Sequence, residues 1–373
     1  MAKGLGTTLT KIPTSSITDS TITLANLVTS GTASSSTFLK GDLSWGTVSV
    51  EGKINVVDSD PAVDTAGDIW YTGGRFKFVS DPSALGAVWT SGGNLNVAKK
   101  GQTGAGNLDA GMCIGGGNAS GNLLTSEIYN GINWATSGNI NTARSGSGSA
   151  GTTSAAVVFG GPSMTDSTEE YNGATWTTVN TLPAGRTAAP ACGGTQTSCY
   201  ATGGTMGSPA VPTDDTVEYD GTCWSGGGTL PAVRRSMFKC GVGKVSAGLA
   251  YMGSTHDPAP NDYQYNTYEY DGTSWTTGNN GAIKRGQMSG AGTQGAAVAA
   301  GGWLSPSEQW SAYTEEYDGT CWSTANNLIT ATYDVCGGGS ISGAYIAGGE
   351  KGSNVYANET QEYRRAIMKF IGT

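Results

Sequence analysis

Nearly the same eight letters occur three times in this chain: VEYDGTCW at 217–224, YEYDGTSW at 268–275 and EEYDGTCW at 315–322. Aligned on tryptophan, Trp89, Trp134, Trp176, Trp224, Trp275 and Trp322 lie 45, 42, 48, 51 and 47 residues apart. Between them run a small-residue stretch, an apolar stretch ending in glycines, and a second aromatic series: Tyr129, Tyr171, Tyr219, Tyr270, Tyr317 and Tyr363. The glycine endings are Ile114-Gly115-Gly116, Phe159-Gly160-Gly161, Thr202-Gly203-Gly204, Met252-Gly253-Ser254, Ala300-Gly301-Gly302 and Ala347-Gly348-Gly349. A unit of about 40–50 residues holding four short strands predicts a β-propeller. Asn-Gly or Asp-Gly between Tyr and Trp predicts a hairpin with a type I′ turn, so the Tyr and Trp strands should be antiparallel neighbours.

The two ends of the repeat complement each other. Trp89 has no Tyr strand before it, and Tyr363 in TQEYRRA has no Trp after it. Residues near 86–91 are therefore expected to pair with residues near 359–365, closing a six-bladed ring through one blade built from both termini. The fold class expected is all-β: a six-bladed propeller preceded by an extended N-terminal arm and a small β module.

Composition agrees. Only 13% of residues are charged while 60 of 373 are glycine, which suits short strands and tight turns, and ten tryptophans argue against disorder. A net charge of −9 with no basic run disfavours nucleic-acid binding. No secretory signal is evident at the start, and no apolar window of about 18 residues suggests membrane insertion. Seven cysteines without CxxC spacing do not read as a disulfide framework, which points to folding in a reducing cytoplasm.

The order basic residue, two inner strands ending in Gly-Gly, Tyr, then Trp resembles the kelch-repeat propellers over roughly residues 85–366. Arg144, Arg186, Arg235 and Arg285 stand at the arginine position of that pattern, with Lys100 and Thr332 in the other two units. The resemblance implies the fold and leaves function open.

Chemistry is sparse. His256 is the single histidine, which removes multi-imidazole metal sites and leaves one candidate for a histidine-dependent triad. No phosphate-binding loop is present, so no cofactor and no metal are expected, and the chain is read as a non-enzyme. Strand alternation sorts the connections onto two faces. The Tyr–Trp turns and the inner turns share one; the loops after Gly-Gly and the stretches after Trp share the other. The second face carries the length variation and the aromatics Trp303, Trp310, Tyr263 and Tyr265 with His256, which are the candidate binding residues; they serve either recognition or the covering of neighbouring loops. The glutamates Glu170, Glu218, Glu269, Glu316 and Glu362 precede the tyrosines. They read either as an acidic ring or as partners of the recurrent arginines, and the second is expected because a residue repeated in nearly every blade serves the blade.

Residues 1–48 are rich in Ser and Thr and short of large apolar side chains, so they cannot bury a core alone. GTASSSTFLKGDLSW (31–45) and AGDIWYTGGRFKFV (66–79) resemble segments of bacteriophage tail-fibre and other virion proteins. That resemblance implies a virion attachment arm at 1–48, a small β-hairpin module at 49–84 and the propeller at 85–373. It further implies a virion structural protein assembled in the host cytoplasm. Such a protein would contact other virion proteins through residues 1–48, form a homo-oligomer in the particle, and bind a host cell-surface glycan or protein through the propeller. The alternatives are an architectural tail or capsid protein touching only viral proteins, and a glycan-degrading tail enzyme.

Overall fold

A computed structural model describes residues 87–187, 190–237, 243–255, 262–304 and 309–365, together with the backbone of short strands between 37 and 78 and at 369–371. The chain divides into two units, Val88–Arg364 and a second formed by Met1–Ala87 with Arg365–Thr373. The second unit contains a parallel and antiparallel sheet in the order Ile54–Val56, Ile69–Thr72, Arg75–Phe78 and Lys369–Ile371. Thr37–Leu39 pairs with Trp45–Thr47 beside it in sequence.

Val88–Arg364 is a six-bladed β-propeller, each blade a four-stranded antiparallel sheet. Blade I runs Thr103–Asn107, Ala110–Ile114, Ser126–Tyr129 and Trp134–Thr136 from the axis outward. Blades II to V repeat this order, with outer strands beginning at Trp176, Trp224, Trp275 and Trp322. Blade VI is composite: Cys336–Ser340, Gly343–Ala347 and Thr360–Arg364 are completed by Val88–Ser91 from the start of the propeller. In it Tyr363 lies opposite Trp89, the same register as Tyr129 with Trp134 in blade I. The ring closes between its termini as the unpaired Trp and Tyr predict.

The Tyr–Trp turn differs from the expected type. Only the glycine takes positive φ, +89° at Gly221 and +95° at Gly272, whereas a type I′ turn needs it at both central residues. The preceding Asp or Asn stays outside the left-handed region and caps the turn instead. Asp220 Oδ1 accepts the backbone N–H groups of Thr222 and Cys223, both at 2.7 Å. Asn130, Asn172, Asp271 and Asp318 do the same in their blades.

Two side-chain circuits join the blades. Every repeat tryptophan donates its indole N–H to a hydroxyl on the first residue of the preceding blade's Tyr strand. Trp134 reaches Thr360, Trp176 Ser126, Trp224 Thr168, Trp275 Thr216, Trp322 Thr267 and Trp89 Thr314, at 2.8–3.3 Å. The buried tyrosines form the second circuit. Tyr219, Tyr270 and Tyr317 donate to Glu170, Glu218 and Glu269 of the preceding blade at 2.9, 2.5 and 2.6 Å. Tyr363 bonds Glu316 and Tyr129 bonds Glu362 in the same way. The circuit breaks where Ile128 replaces glutamate, and there Tyr171 meets Ser137 Oγ at 2.6 Å.

The recurrent glutamates thus serve the tyrosines, which corrects their expected pairing with arginine. The buried cations take the residue one step earlier. Lys99 pairs with Glu127 at 2.9 Å and Arg285 with Glu315 at 2.9 Å, and Arg144 pairs with Glu169. Arg186 uses Asp215 at 2.6 Å, and Arg234 bonds Asn266 and Tyr268. Two positions of the series shift by one residue, since Lys99 and Arg234, rather than Lys100 and Arg235, give their carbonyls to the second glycine position as Arg144 does. The same register puts Met252, with φ +60°, at the first position of the blade IV glycine pair.

At the axis the inner strands are glycine- and serine-rich because their backbones touch. A Cβ on Gly104 would stand 2.4 Å from the Gly337 carbonyl oxygen of the neighbouring blade. Thr103 and Ser149 hydroxyls bond across blades I and II at 2.6 Å.

Candidate recognition face

The propeller's two faces differ in kind. The turn face repeats one capped turn blade after blade, with Cys223 and Cys321 exposed in two of those turns. The loop face carries connections of unlike length, and a recurring bridge outside the blades joins the residue after the cation position to the residue after the second glycine position. Lys100 bridges Gly117, Thr187 bridges Thr205, Arg235 bridges Ser254, and Tyr333 bridges Glu350. Arg285–Gly286 pairs with Trp303–Leu304 in the same manner.

Around the axis on this face runs an arc, called the ring below, that sequence reasoning missed; five of its six blade positions are described. In five of the six blades the second residue after the buried cation position turns into the left-handed region: Gly101 (φ +70°), Gly146 (+63°), Ser236 (+54°), Gln287 (+56°) and Asp334 (+59°), while residue 188 lies outside the described residues. These residues are hydrogen-bonded one to the next. Gln287 N donates to Ser236 O, Asp334 N to Gln287 O, Gly101 N to Asp334 O and Gly146 N to Gly101 O, at 2.8–2.9 Å. The twist lets Gln287, Asp334 and Gly101 each hand the N–H to one neighbouring blade and the carbonyl to the other. Two glycines adopt it freely; for Ser, Gln and Asp it costs on the order of 1–2 kcal/mol each. The signal available in the sequence was Gly101 and Gly146 at matching places, two residues after Lys99 and Arg144.

All seven non-glycine residues with positive φ among the described residues sit at this end of the blades: Ser163, Met164, Ser236, Met252, Gln287, Asp334 and Asn354. Backbone held in sparsely populated conformations concentrates at functional sites. Inside the ring opens a cavity of about 390 Å3, lined among others by Lys100, Ser145, Arg235, Ser236, Gln287, Asp334 and Tyr356.

The aromatic candidates are placed unequally. Trp303 and Trp310 meet edge-on at 5.3 Å, and Trp303 also packs on Tyr333 at 5.0 Å. They are half-buried, and the Trp310 indole N–H has no acceptor among the described residues. Tyr265 is 37% exposed with the Lys284 ammonium 5.3 Å from its ring. Tyr263 is only 2% exposed, which corrects its reading as a surface residue: it packs inward and its hydroxyl donates to Gln287 Oε1 at 3.3 Å. Burial pushes its phenol up to about 12. His256 lies outside the described residues.

Next to the aromatic cluster, Lys100 and Glu350 form a tight ion pair, and Tyr333 bonds the same carboxylate at 3.1 Å. Burial is the largest single influence on the Glu350 carboxylate and works against it, but the Lys100 hydrogen bond, the Asn354 N–H, the Lys100 charge and the Tyr333 hydroxyl together hold the group below the usual carboxylate range. Burial raises Tyr333 to about 12 despite the opposing pull of Lys100. A separate, more apolar groove of about 550 Å3 lies between Met164, Met206, Val211 and Val233. Among the described residues no group of three His, Cys, Asp or Glu side chains is arranged to hold a metal, and no helix is long and apolar enough to cross a membrane.

In comparisons with known proteins, no family model matches the chain and no curated protein matches it significantly.

Proposed function

We propose that the chain is a bacteriophage virion protein of the kelch-repeat type. In this reading it is a tail fibre, spike or similar appendage, held in the particle by its N-terminal segment, that binds the host surface with the loop face of its propeller. The observation that carries this reading is the asymmetry of the two faces. The turn face repeats one hydrogen-bonded motif, whereas the loop face gathers every non-glycine residue with positive φ among the described residues, the axial cavity and the Trp303–Trp310–Tyr333 cluster. Rigid scaffolds place recognition on variable connections of this sort.

Recognition without catalysis is supported by how the acids are used. Glu170, Glu218, Glu269, Glu316 and Glu362 accept from tyrosines, and Glu127, Glu169 and Glu315 pair with buried cations. The attachment role of residues 1–48 rests on their resemblance to virion segments and on their lack of core-forming side chains. The same resemblance supports a place in the particle, as a homo-oligomer among other virion proteins.

Cys223 and Cys321 give a test, because they are exposed on the turn face. Protein labelled there with a fluorophore should bind cells of the host strain and, in excess, slow adsorption of the particle. Unlabelled cells and undiminished adsorption would move the protein to a purely architectural role among viral components.

A further inference from the structure

The axial cavity has a composition that points to one class of ligand. Its walls combine hydroxyl and amide groups from Ser145, Ser236 and Gln287 with Tyr356, over whose ring the Lys100 ammonium lies at 5.8 Å, and the charged groups Lys100, Arg235 and Asp334. Lys100 is already tied to Glu350, which is not among the lining residues, and this leaves Arg235 and Asp334 as the remaining cation and carboxylate of the walls. Such a site offers no net field to an anion. It offers instead many donors and acceptors of both kinds beside an aromatic ring, the pattern that suits a polyhydroxylated, uncharged molecule with apolar C–H faces.

The backbone sharpens this. Glycine meets the geometry of the ring without strain, as Gly101 and Gly146 show, yet the opposite half of the ring carries Ser236, Gln287 and Asp334 in the same left-handed conformation. Side chains kept at a steric disadvantage, on consecutive blades and lining one cavity, are side chains that are used there. At about 390 Å3 the cavity lies near the lower end of ligand-binding pockets, which fits the end of a glycan chain and not a peptide helix.

We propose that this cavity binds the uncharged terminal sugar of a host-surface glycan, with Ser236, Gln287 and Asp334 reading its hydroxyls and Tyr356 stacking on its ring. The proposal rests on the recognition role of the loop face and names the chemistry recognised.

The test uses the full chain and saturation-transfer NMR with the methyl glycosides of glucose, galactose, mannose and N-acetylglucosamine, beside N-acetylneuraminic acid as an anionic probe. At least one neutral glycoside should receive saturation. In Ser236→Gly and Asp334→Gly its affinity should fall by about tenfold or more, as when a site built to bond a hydroxyl loses that bond. Because glycine relieves the left-handed strain, both variants should melt at the wild-type temperature or above it. Transfer to no neutral glycoside, transfer to the anionic sugar alone, or variants that bind like wild type would overturn the proposal. Variants that bind less only because they melt lower would also overturn it, since the side chains would then be holding the ring together. A chain that binds host cells but none of these sugars refutes the ligand class and leaves the loop-face reading standing. One that binds a sugar but no cells does the reverse.

Discussion

Five of the six blades keep one cation out of water, Thr332 standing at the sixth position, and the cost of doing so depends on the cation's partner. Arg285 and Glu315 are both fully buried, so removing one strands the other in a dry setting. Arg186 is equally buried, but its partner Asp215 is 46% exposed and can regain water. Arg285→Ala should therefore destabilise by about 3–5 kcal/mol. Arg186→Ala should cost less, about 1–3 kcal/mol, from lost hydrogen bonds and packing. Urea unfolding of the two variants checks the order, and equal losses would show that partner exposure is not what sets the cost. These positions were only partly legible in the sequence. Where two basic residues adjoin, as in Lys99-Lys100 and Arg234-Arg235, spacing alone does not choose between them, and the hydrogen-bond register selects the first.

Between elements, the Tyr–Glu circuit does what the apolar faces cannot: at five of the six blade junctions it fixes one blade's height against the next through a directional bond. It has a pH signature. Burial raises the phenols of Tyr129 and Tyr270 to about 12 from an ordinary 10.0, and their hydrogen bonds to Glu362 and Glu218 add to the shift. The folded state holds these protons more tightly than the unfolded chain. Their contribution is thus complete below pH 10 and is lost as the pH rises toward about 12. Tyrosinate absorbance should accordingly appear together with loss of near-ultraviolet circular dichroism in that window. Ionisation well before unfolding would show that the phenols are not locked. The aromatic series announced the blades and the closing strand, since tyrosine and tryptophan recur at fixed spacing. The glutamates' partners were hidden, because they lie about 50 residues away in the neighbouring blade, at Tyr219 for Glu170 and Tyr317 for Glu269. The turn type was misread for a related reason: Asp and Asn serve as caps, and the single glycine alone supplies the positive φ.

For the whole molecule, six similar blades leave symmetry on one face and break it on the other. The fold was legible because a repeat multiplies a weak local signal sixfold. The candidate site was legible only as a face. Its loops differ in length and sequence beyond a shared bridge, and its left-handed residues, though they recur two positions after the cation position, depend on backbone bonds between blades that no single unit displays. In the proposed function this irregular face, and not the regular one, meets the outside world. Exposed single cysteines carrying a bulky polyethylene glycol can test it directly: native Cys223 and Cys321 on the turn face, or Ser120→Cys beside the axial mouth in a background with both native residues replaced by serine. Binding of the modified proteins to host cells is the measurement. Modification of the turn face should leave binding intact and modification at residue 120 should abolish it. Loss of binding from the turn face with residue 120 indifferent would contradict the account.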